Sequence, residues 1–217
     1  MTATAATRGA RQTQADRRAR TRSALLEAAA RGLSRHGYAN LVLEQVASEA
    51  GYSRGALYHL FANKEDLALA VVEWVEETWY EQMGPLMARK DDPVTAIVAV
   101  VRGHAVYCRR DVARVMMTLR VEFGDRDHPV GRAVARAVDR VVRDCTTLVA
   151  AARRSGAIPP GPAPRALALA LVSAVEGVVI SFAGKAPLDE LLAERVALGL
   201  LGLPGARELE RRQTPVS

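Results

Sequence analysis

The chain has 217 residues, of which 49% are apolar and 5% aromatic, and it carries a formal net charge of +6. A chain of this length can bury a core as one large domain or two small ones. Its content of Ala, Arg, Val and Leu is typical of an all-α protein, and its two cysteines are too few for a disulfide scaffold. Because residues 1–63 hold nine arginines against four acidic residues, while residues 64–217 hold 21 basic and 20 acidic ones, attraction to polyanions is expected of the first third.

The two cysteines, Cys108 and Cys145, lack paired spacing, and no secretory segment follows Met1, so we expect a cytoplasmic protein. One apolar run, residues 166–184, is nearly long enough to span a bilayer, but Glu176 near its middle would be costly there. We therefore predict a helix packed between other helices and no membrane partner.

Residues 1–20 are rich in Ala, Thr, Arg and Gln without an apolar period, which predicts a mobile basic arm. Thr21 or Ser23 is expected to cap a first helix that ends at Gly37. Two short helices follow, at 43–50 and 54–61. The first has a single apolar stripe formed by Leu43, Val46, Ala47 and Ala50.

Gly51 is expected to take the left-handed conformation that ends the first of these short helices, and Ser53 to cap the second. On the second helix, at 100° per residue, one side is predicted core: Leu57, Leu60 and Phe61, with Ala56 beside them. The opposite side carries a guanidinium, a gap, a phenol and an imidazole, from Arg54, Gly55, Tyr58 and His59.

The rim of an ordinary helical bundle would explain Tyr58 or His59 taken singly. The three-residue turn, the outward clustering of these side chains and the local positive charge together favour a DNA-binding helix-turn-helix, whose second helix enters the major groove.

Asn63 begins a fourth helix, with Asp66 in a capping-box-like position, and this helix is predicted to end at Gly84-Pro85. Breaks rich in Gly and Pro separate five further helical patterns: residues 93–110, 111–123, 130–155, 165–183 and 187–202. No strand-like alternation accompanies them, so the predicted fold class is all-α.

The segments HGY at 36–38 and LEQVASEAGYSRGALYHLFANKEDL at 43–67 resemble the signature of the TetR family of bacterial transcriptional regulators. The resemblance is specific over about residues 20–68 and beyond them extends only to length, helicity and the placement of breaks. It implies four regions: a basic arm at 1–20, a three-helix helix-turn-helix DNA-binding domain at 21–66, a larger helical effector-binding and dimerisation domain at 67–203, and a flexible tail at 204–217.

Carried over by position, the resemblance implies groove-facing roles for Ser53, Arg54, Gly55 and Ala56 and phosphate contacts for Tyr58, His59 and Lys64. Lys64 also lies in the first turn of its helix, where free N–H groups favour a phosphate. In the family a Thr or Ser pair usually caps the first helix of the motif and contacts phosphate, and this chain has Leu41 and Val42 at those positions. We expect Asn40 to cap that helix instead. Leu41 and Val42 put the phosphate contact of this loop in doubt.

The resemblance further implies a homodimer that binds a palindromic operator, most simply a repressor released by a small hydrophobic or amphipathic effector. Its dimer helices would be those at about 165–183 and 187–202, whose small and apolar residues fit close helix packing. The arm would either enter a minor groove or only raise non-specific affinity, through Arg17, Arg18, Arg20 and Arg22.

The candidate effector contacts are aromatic, Met and His side chains that could equally be plain core: Trp74, His104, Tyr107, Met116, Met117, Phe123 and Phe182. Glu176 is a carboxylate within an apolar helix and must find water, a partner or a ligand. Arg120 is the expected partner, and a cationic or amine effector is a hypothesis that follows from Glu176.

Other functional classes stay open. His104 and Cys108, four residues apart, would share a helix face and could serve a thiol- or metal-responsive regulator together with Cys145, although no Cys/His cluster specifies a metal. A ligand-binding helical protein with a vestigial DNA motif is a further alternative. An enzyme is disfavoured because the sequence has no Gly-rich phosphate loop, GxSxG or HExxH, and neither a cofactor nor a metal is predicted.

Overall fold

The computed structural model describes residues 13–89, 92–124 and 127–204. In these ranges the chain is helical and has no strand, which confirms the predicted all-α class. It forms nine α-helices, with a short 3-10 helix (Asp111–Arg114) directly before the sixth: α1 (Gln14–His36), α2 (Leu43–Glu49), α3 (Arg54–Leu60), α4 (Lys64–Met87), α5 (Pro93–Tyr107), α6 (Val115–Phe123), α7 (Pro129–Arg154), α8 (Pro164–Phe182) and α9 (Leu188–Leu200).

Helix α1 begins about two turns before the predicted cap at Thr21 or Ser23. Its start is fixed by a capping box, in which the Thr13 hydroxyl accepts from the Asp16 N–H at 3.1 Å and the Asp16 carboxylate accepts from the Thr13 N–H at 2.9 Å. The prediction of a mobile arm is therefore wrong for residues 14–20, and its residues 1–12 lie outside the described ranges.

The turn between α2 and α3 has the predicted chemistry. Gly51 adopts φ 76°, and the Ser53 hydroxyl accepts from the Ala56 N–H at 3.2 Å. The expected cap on α2 is wrong, because no side chain caps this helix and the Asn40 amide instead donates to the His36 carbonyl at the end of α1.

Helix α4 continues past Gly84-Pro85 to Met87, so the predicted end is wrong. Pro85 is tolerated because it lies in the last turn, where one missing N–H removes a single intrahelical hydrogen bond. The helices that follow agree with the predicted patterns to within a few residues, except that 111–123 is divided into the 3-10 helix and α6.

Two large hydrophobic clusters lie at opposite ends of α4, and a small third one, of Val142, Cys145 and Ala168, joins α7 to α8. The first joins α1, α2 and α3 to the N-terminal half of α4, the 3-10 helix, α6 and the start of α7, and includes Leu119 and Val130. The second joins the C-terminal half of α4 to α5, the end of α7, α8 and α9. The predicted domain boundary at residue 67 falls inside α4. The helix-turn-helix unit (α1–α3) is packed directly on the larger part of the chain, because α1 contacts α4, the 3-10 helix and α6.

Helix α8 is long and apolar enough, by length and composition alone, to cross a membrane. It packs against α7 and α9, and Glu176 in its middle pairs with Arg120 of α6. Only 28% of the most apolar 18-residue stretch of α8 is buried. The predicted position between other helices therefore holds for one face of α8, and the other face is on the surface.

Candidate DNA-binding face and internal cavity

The two sides of α3 are divided as the helical spacing predicts. Leu57 is fully buried and Phe61, which ends the helix, is 2% exposed, whereas Arg54, Gly55, Tyr58 and His59 are exposed. These four residues with Ser53 form the α3 face. Its side chains are open to solvent, and their predicted roles on DNA remain predictions.

Two neighbours orient Arg54, Glu44 on the preceding helix and Tyr58 on the α3 face. Its Nε lies 3.1 Å from Glu44 Oε1 of α2, and its Cζ lies 5.2 Å from the centre of the Tyr58 ring. An ion pair this exposed contributes little to stability, so Arg54 can exchange Glu44 for a base or phosphate at small cost.

Gly55 leaves a gap in the α3 face that the fold itself does not require. A Cβ built at Gly55 would come no closer than 3.8 Å to any other group, the Ser53 Oγ. Glycine lowers helix stability by about 1 kcal/mol relative to alanine, so close approach of a partner is a better explanation than internal packing.

Lys64, predicted to contact phosphate, is partly used inside the protein. Its ammonium donates to the Ala39 carbonyl at 2.8 Å and lies 4.9 Å from the centre of the Tyr38 ring. Because an ammonium has three donors, this bond leaves others for a phosphate.

The turn between α1 and α2 is also bound by α6, a contact that sequence reasoning missed. The Glu122 carboxylate accepts hydrogen bonds from the backbone N–H groups of Tyr38 at 2.5 Å and Ala39 at 2.7 Å. Gly37 has φ 73°, and a Cβ there would lie 2.7 Å from Glu122 Oε2. The HGY segment therefore combines a left-handed residue with space for this carboxylate.

An aromatic group strengthens the same junction. Phe123 stacks on His128 with ring centres 4.3 Å apart, and the Tyr38 ring meets both edge-on at 5.2 Å. Phe123 was a candidate effector contact, and the structure instead places it in the first hydrophobic cluster. Its aromatic character predicted burial correctly but could not specify which cluster it joins.

A cavity of about 130 Å³ lies between α4, α5, α6, α7 and α8. Five of the predicted effector contacts line it: His104, Tyr107, Met116, Met117 and Glu176. Trp74 packs on the first cluster, and Phe182 packs on the second near the end of α8, so with Phe123 these aromatic candidates are outside the lining. Arg120 is also outside the lining but donates to Glu176 at 2.7 Å, which confirms the predicted pair.

Sequence reasoning missed several of the residues that line the cavity, in particular Glu76, Trp79 and Tyr80 of α4. The Tyr80 hydroxyl donates to Asp144 at 2.6 Å, and burial, the first of several causes, raises the pKa of Tyr80. The remaining lining is almost entirely aliphatic, so the site can hold an apolar molecule with few polar contacts.

His104 is neutral at physiological pH. The Trp79 indole N–H donates to its Nδ1 at 2.9 Å, which puts the imidazole proton on Nε2, and burial lowers its pKa to about 4. Cys108 Sγ is 3.5 Å from that Nε2. Burial raises the pKa of both Cys108 and Cys145 to about 12, so both thiols are protonated and weakly nucleophilic.

The thiol- or metal-responsive alternative receives no support from this geometry. Within residues 13–89, 92–124 and 127–204, no group of three or more His, Cys, Asp or Glu residues is arranged to hold a metal ion. His104 and Cys108 are neighbours, as their spacing predicted, and belong to the cavity wall.

Known proteins resemble the helix-turn-helix unit in sequence and most of the chain in fold. The family model of bacterial regulatory proteins of the tetR family matches residues 25–71, which include α2 and α3. The HTH-type transcriptional regulator CymR of Pseudomonas putida is 32% identical over 130 residues, 60% of this chain and 64% of CymR. The chain thus spans less than two thirds of that relative.

Two solved structures share the fold. SCO4454, a TetR-family transcriptional regulator from Streptomyces coelicolor, has a TM-score of 0.71 at 22% identity over 85% of this chain and 95% of SCO4454. AibR, solved in complex with isovaleryl coenzyme A and operator DNA, has a TM-score of 0.64 at 21% identity over 84% of this chain and 96% of AibR. At these identities the likeness concerns the fold alone.

Proposed function

The chain belongs to the TetR family of bacterial regulatory proteins, and from this premise we propose that it is a cytoplasmic homodimeric repressor that a small apolar effector releases from a palindromic operator. Members of this family are transcriptional regulators, so the prediction that the chain is not an enzyme holds. The observation that carries the proposal is that the second helix of a complete helix-turn-helix has a solvent-exposed side, the α3 face.

On DNA, α3 lies in the major groove with its first residues at the base edges. Arg54 has the planar fork that binds guanine through two hydrogen bonds, and Gly55 allows the backbone to approach the duplex. Tyr58, His59 and Lys64 donate to phosphates on either side. One seven-residue helix covers only a few base pairs, so two copies are needed for a specific site.

The outer surfaces of α8 and α9 support dimerisation through these helices. Large apolar side chains are exposed on both: Leu169 by 45%, Ile180 by 63%, Leu188 by 44% and Leu191 by 51%. The two helices pack against each other, so these side chains belong to adjoining surfaces. A second copy that covers them forms a four-helix interface and removes the apolar surface from water.

The cavity supports an effector because α6 connects it to the helix-turn-helix unit. Met116 and Met117 line the cavity, and Glu122, less than two turns further along α6, binds the turn between α1 and α2. A molecule that displaces these methionines shifts α6 and, with it, the α3 face. Release of operator DNA follows from a changed distance between the two copies of α3.

The experiment that tests this function is selection of bound fragments from random DNA by the purified full-length protein. We expect a palindrome whose half-sites are separated by about one helical turn of DNA, or about 34–36 Å. A folded protein that enriches no sequence would contradict operator recognition and would favour the vestigial-motif alternative. The Arg54→Ala variant in the same selection provides the matched control for enrichment through α3.

A further inference from the structure

We propose that the cavity binds a small lipophilic cation, an amine or a quaternary ammonium of single-ring size, between the carboxylates of Glu76 and Glu176. Its role as the effector rests on the proposed function, whereas binding itself does not.

The charged residues that line the cavity are both acidic. Glu76 and Glu176 line it, and their partners Arg140 and Arg120 do not. Arg140 is 58% and Arg120 48% exposed, so each ion pair joins a residue of the cavity lining to a guanidinium at the surface of the protein. Among the described residues that line the cavity, none is Lys or Arg.

Neither carboxylate is fully compensated by its arginine. Burial raises the pKa of Glu176 even though Arg120 lowers it, so ionised Glu176 is less favourable here than in water. Glu76 Oε1 is buried without an aligned hydrogen-bond donor, although Arg140 Nε is 3.1 Å away. A bound ammonium would supply the missing counter-charge to both.

The other titratable groups of the lining do not oppose a cation. His104 is neutral, because its Nδ1 accepts from Trp79 and burial keeps its pKa low, and the thiols of Cys108 and Cys145 are protonated. Trp79, Tyr80 and Tyr107 also line the cavity, and the face of an aromatic ring attracts cations at short range. An organic acid would instead bring a third negative charge near two carboxylates.

The size of the cavity restricts the ligand further. An apolar cavity of about 150 Å³ holds one benzene molecule, and the volume here is about 130 Å³. A single ring with a short ammonium substituent therefore matches this space, whereas the several phosphates of a coenzyme A thioester would be repelled by the two carboxylates. The acyl-CoA ligand of AibR is accordingly not the ligand class expected for this chain.

The test uses three probes of nearly equal size, benzylamine, ethylbenzene and benzoate, measured by titration calorimetry on the full-length protein. We expect benzylamine to bind most tightly and benzoate most weakly. Glu76→Gln and Glu176→Gln should each weaken benzylamine binding about tenfold and leave ethylbenzene binding unchanged. Benzoate binding as tightly as benzylamine, or no measurable benzylamine binding, overturns the proposal.

Arg120→Gln separates charge from structural damage. This change removes the guanidinium that competes for Glu176, so benzylamine should bind several-fold more tightly, whereas a damaged cavity would bind all three probes less well. Weaker benzylamine binding to folded Arg120→Gln, with ethylbenzene binding retained, contradicts the charge argument.

A gel shift with the selected operator distinguishes this inference from the proposed function. Benzylamine that binds the protein without releasing DNA leaves the cation site standing and removes its effector role. Operator binding by the ligand-free protein together with failure of the calorimetric test leaves the regulator standing and removes the cation site.

Discussion

Glu122 of α6 accepts a hydrogen bond from the backbone N–H of Tyr38 at 2.5 Å, and its second oxygen accepts one from Ala39 at 2.7 Å. Hydrogen bonds to a charged acceptor are stronger than neutral ones, so this carboxylate binds the turn between α1 and α2 firmly to the helix that carries two cavity methionines. The junction is thus a direct polar link between a helix of the cavity wall and the helix-turn-helix unit.

Glu122→Gln should loosen this turn, because the amide retains one good acceptor and loses the charge. A hydrogen bond to a charged group contributes about 1.5 kcal/mol or more, so its weakening should accelerate amide exchange at Tyr38 and Ala39 at least about tenfold. Hydrogen–deuterium exchange measures it. Glu73→Gln, an exposed residue of α4, is the control, and unchanged protection in Glu122→Gln would show that the carboxylate does not hold the turn.

Arg54→Ala should reduce discrimination between operator and random DNA by about 1–3 kcal/mol, because a guanidinium that grips guanine is lost. The change removes an exposed ion pair with Glu44 and should leave folding stability nearly unchanged. Competition binding against random duplex measures the ratio of affinities. An equal loss on both DNAs would assign Arg54 to the phosphate backbone.

Lys64→Ala should weaken binding to every duplex alike and reduce the slope of log K against log salt by about one. Lys64→Arg is the matched control because it keeps the charge, although a guanidinium fits the Ala39 carbonyl less well. If Lys64→Ala lowers affinity without altering the salt slope, Lys64 acts by holding the turn between α1 and α2 and not through phosphate.

The arginines at the start of α1 are predicted to contact phosphates that flank the operator. The first turns of this helix are exposed, and the Arg22 guanidinium lies 5.9 Å from the ring of Phe61, which ends α3. Replacing Arg17, Arg18 and Arg20 together by Gln should lower the salt slope by up to about three. Arg136→Gln on α7 measures the effect of one charge removed elsewhere on the surface, against which one third of the triple variant's change is compared. An unchanged slope in the triple variant would exclude these contacts.

Asp189 is predicted to stabilise the attachment of α9 to the turn that follows α5. Its carboxylate is fully buried and accepts two hydrogen bonds of 2.8 Å from Arg109, so Asp189→Asn should lower the free energy of unfolding by about 3 kcal/mol. Urea unfolding measures this change. Asp139→Asn, which breaks more exposed pairs with Arg143 and Arg165, should cost about 1 kcal/mol or less.

The same pair gives a pH dependence of known sign. The Arg109 hydrogen bonds, the largest cause, lower the pKa of Asp189 from 3.8 to about 2. Because the folded pKa lies below the unfolded one, this contribution is fully present above about pH 4 and is lost as the pH falls toward about 2. Wild type should lose stability in that interval more steeply than Asp189→Asn, and parallel curves would contradict the assignment.

The helix-turn-helix was predictable because its signals are local. Gly51 ends α2, Ser53 caps α3, and the division of α3 into a buried and an exposed side follows from spacing alone. The start of α1 was missed for the opposite reason: its first turns bury almost nothing, so no apolar period marks them, and the capping box from Thr13 to Asp16 defines their start.

The cavity was only partly predictable because five helices form it. Trp74 and Trp79 lie on the same helix, and the structure places Trp79 in the cavity wall and Trp74 on the first hydrophobic cluster. Which side of α4 faces the cavity depends on the positions of α5 and α7, and local spacing does not contain this information. Glu176 was recognisable because a carboxylate in an apolar helix requires a partner, whereas Glu76 lies in an ordinary amphipathic pattern.

The continuity of α4 has a mechanical consequence. One unbroken helix contains Lys64, which binds the turn between α1 and α2, and Trp79 in the cavity wall, 15 residues or about 22 Å further along its axis. Because α4 moves as a rigid rod, a tilt of about 5° about Trp79 moves its Lys64 end by about 2 Å. In the proposed homodimer the two ends would move in opposite senses, so their separation would change by up to about 4 Å, enough to disturb the register of both α3 helices on one duplex.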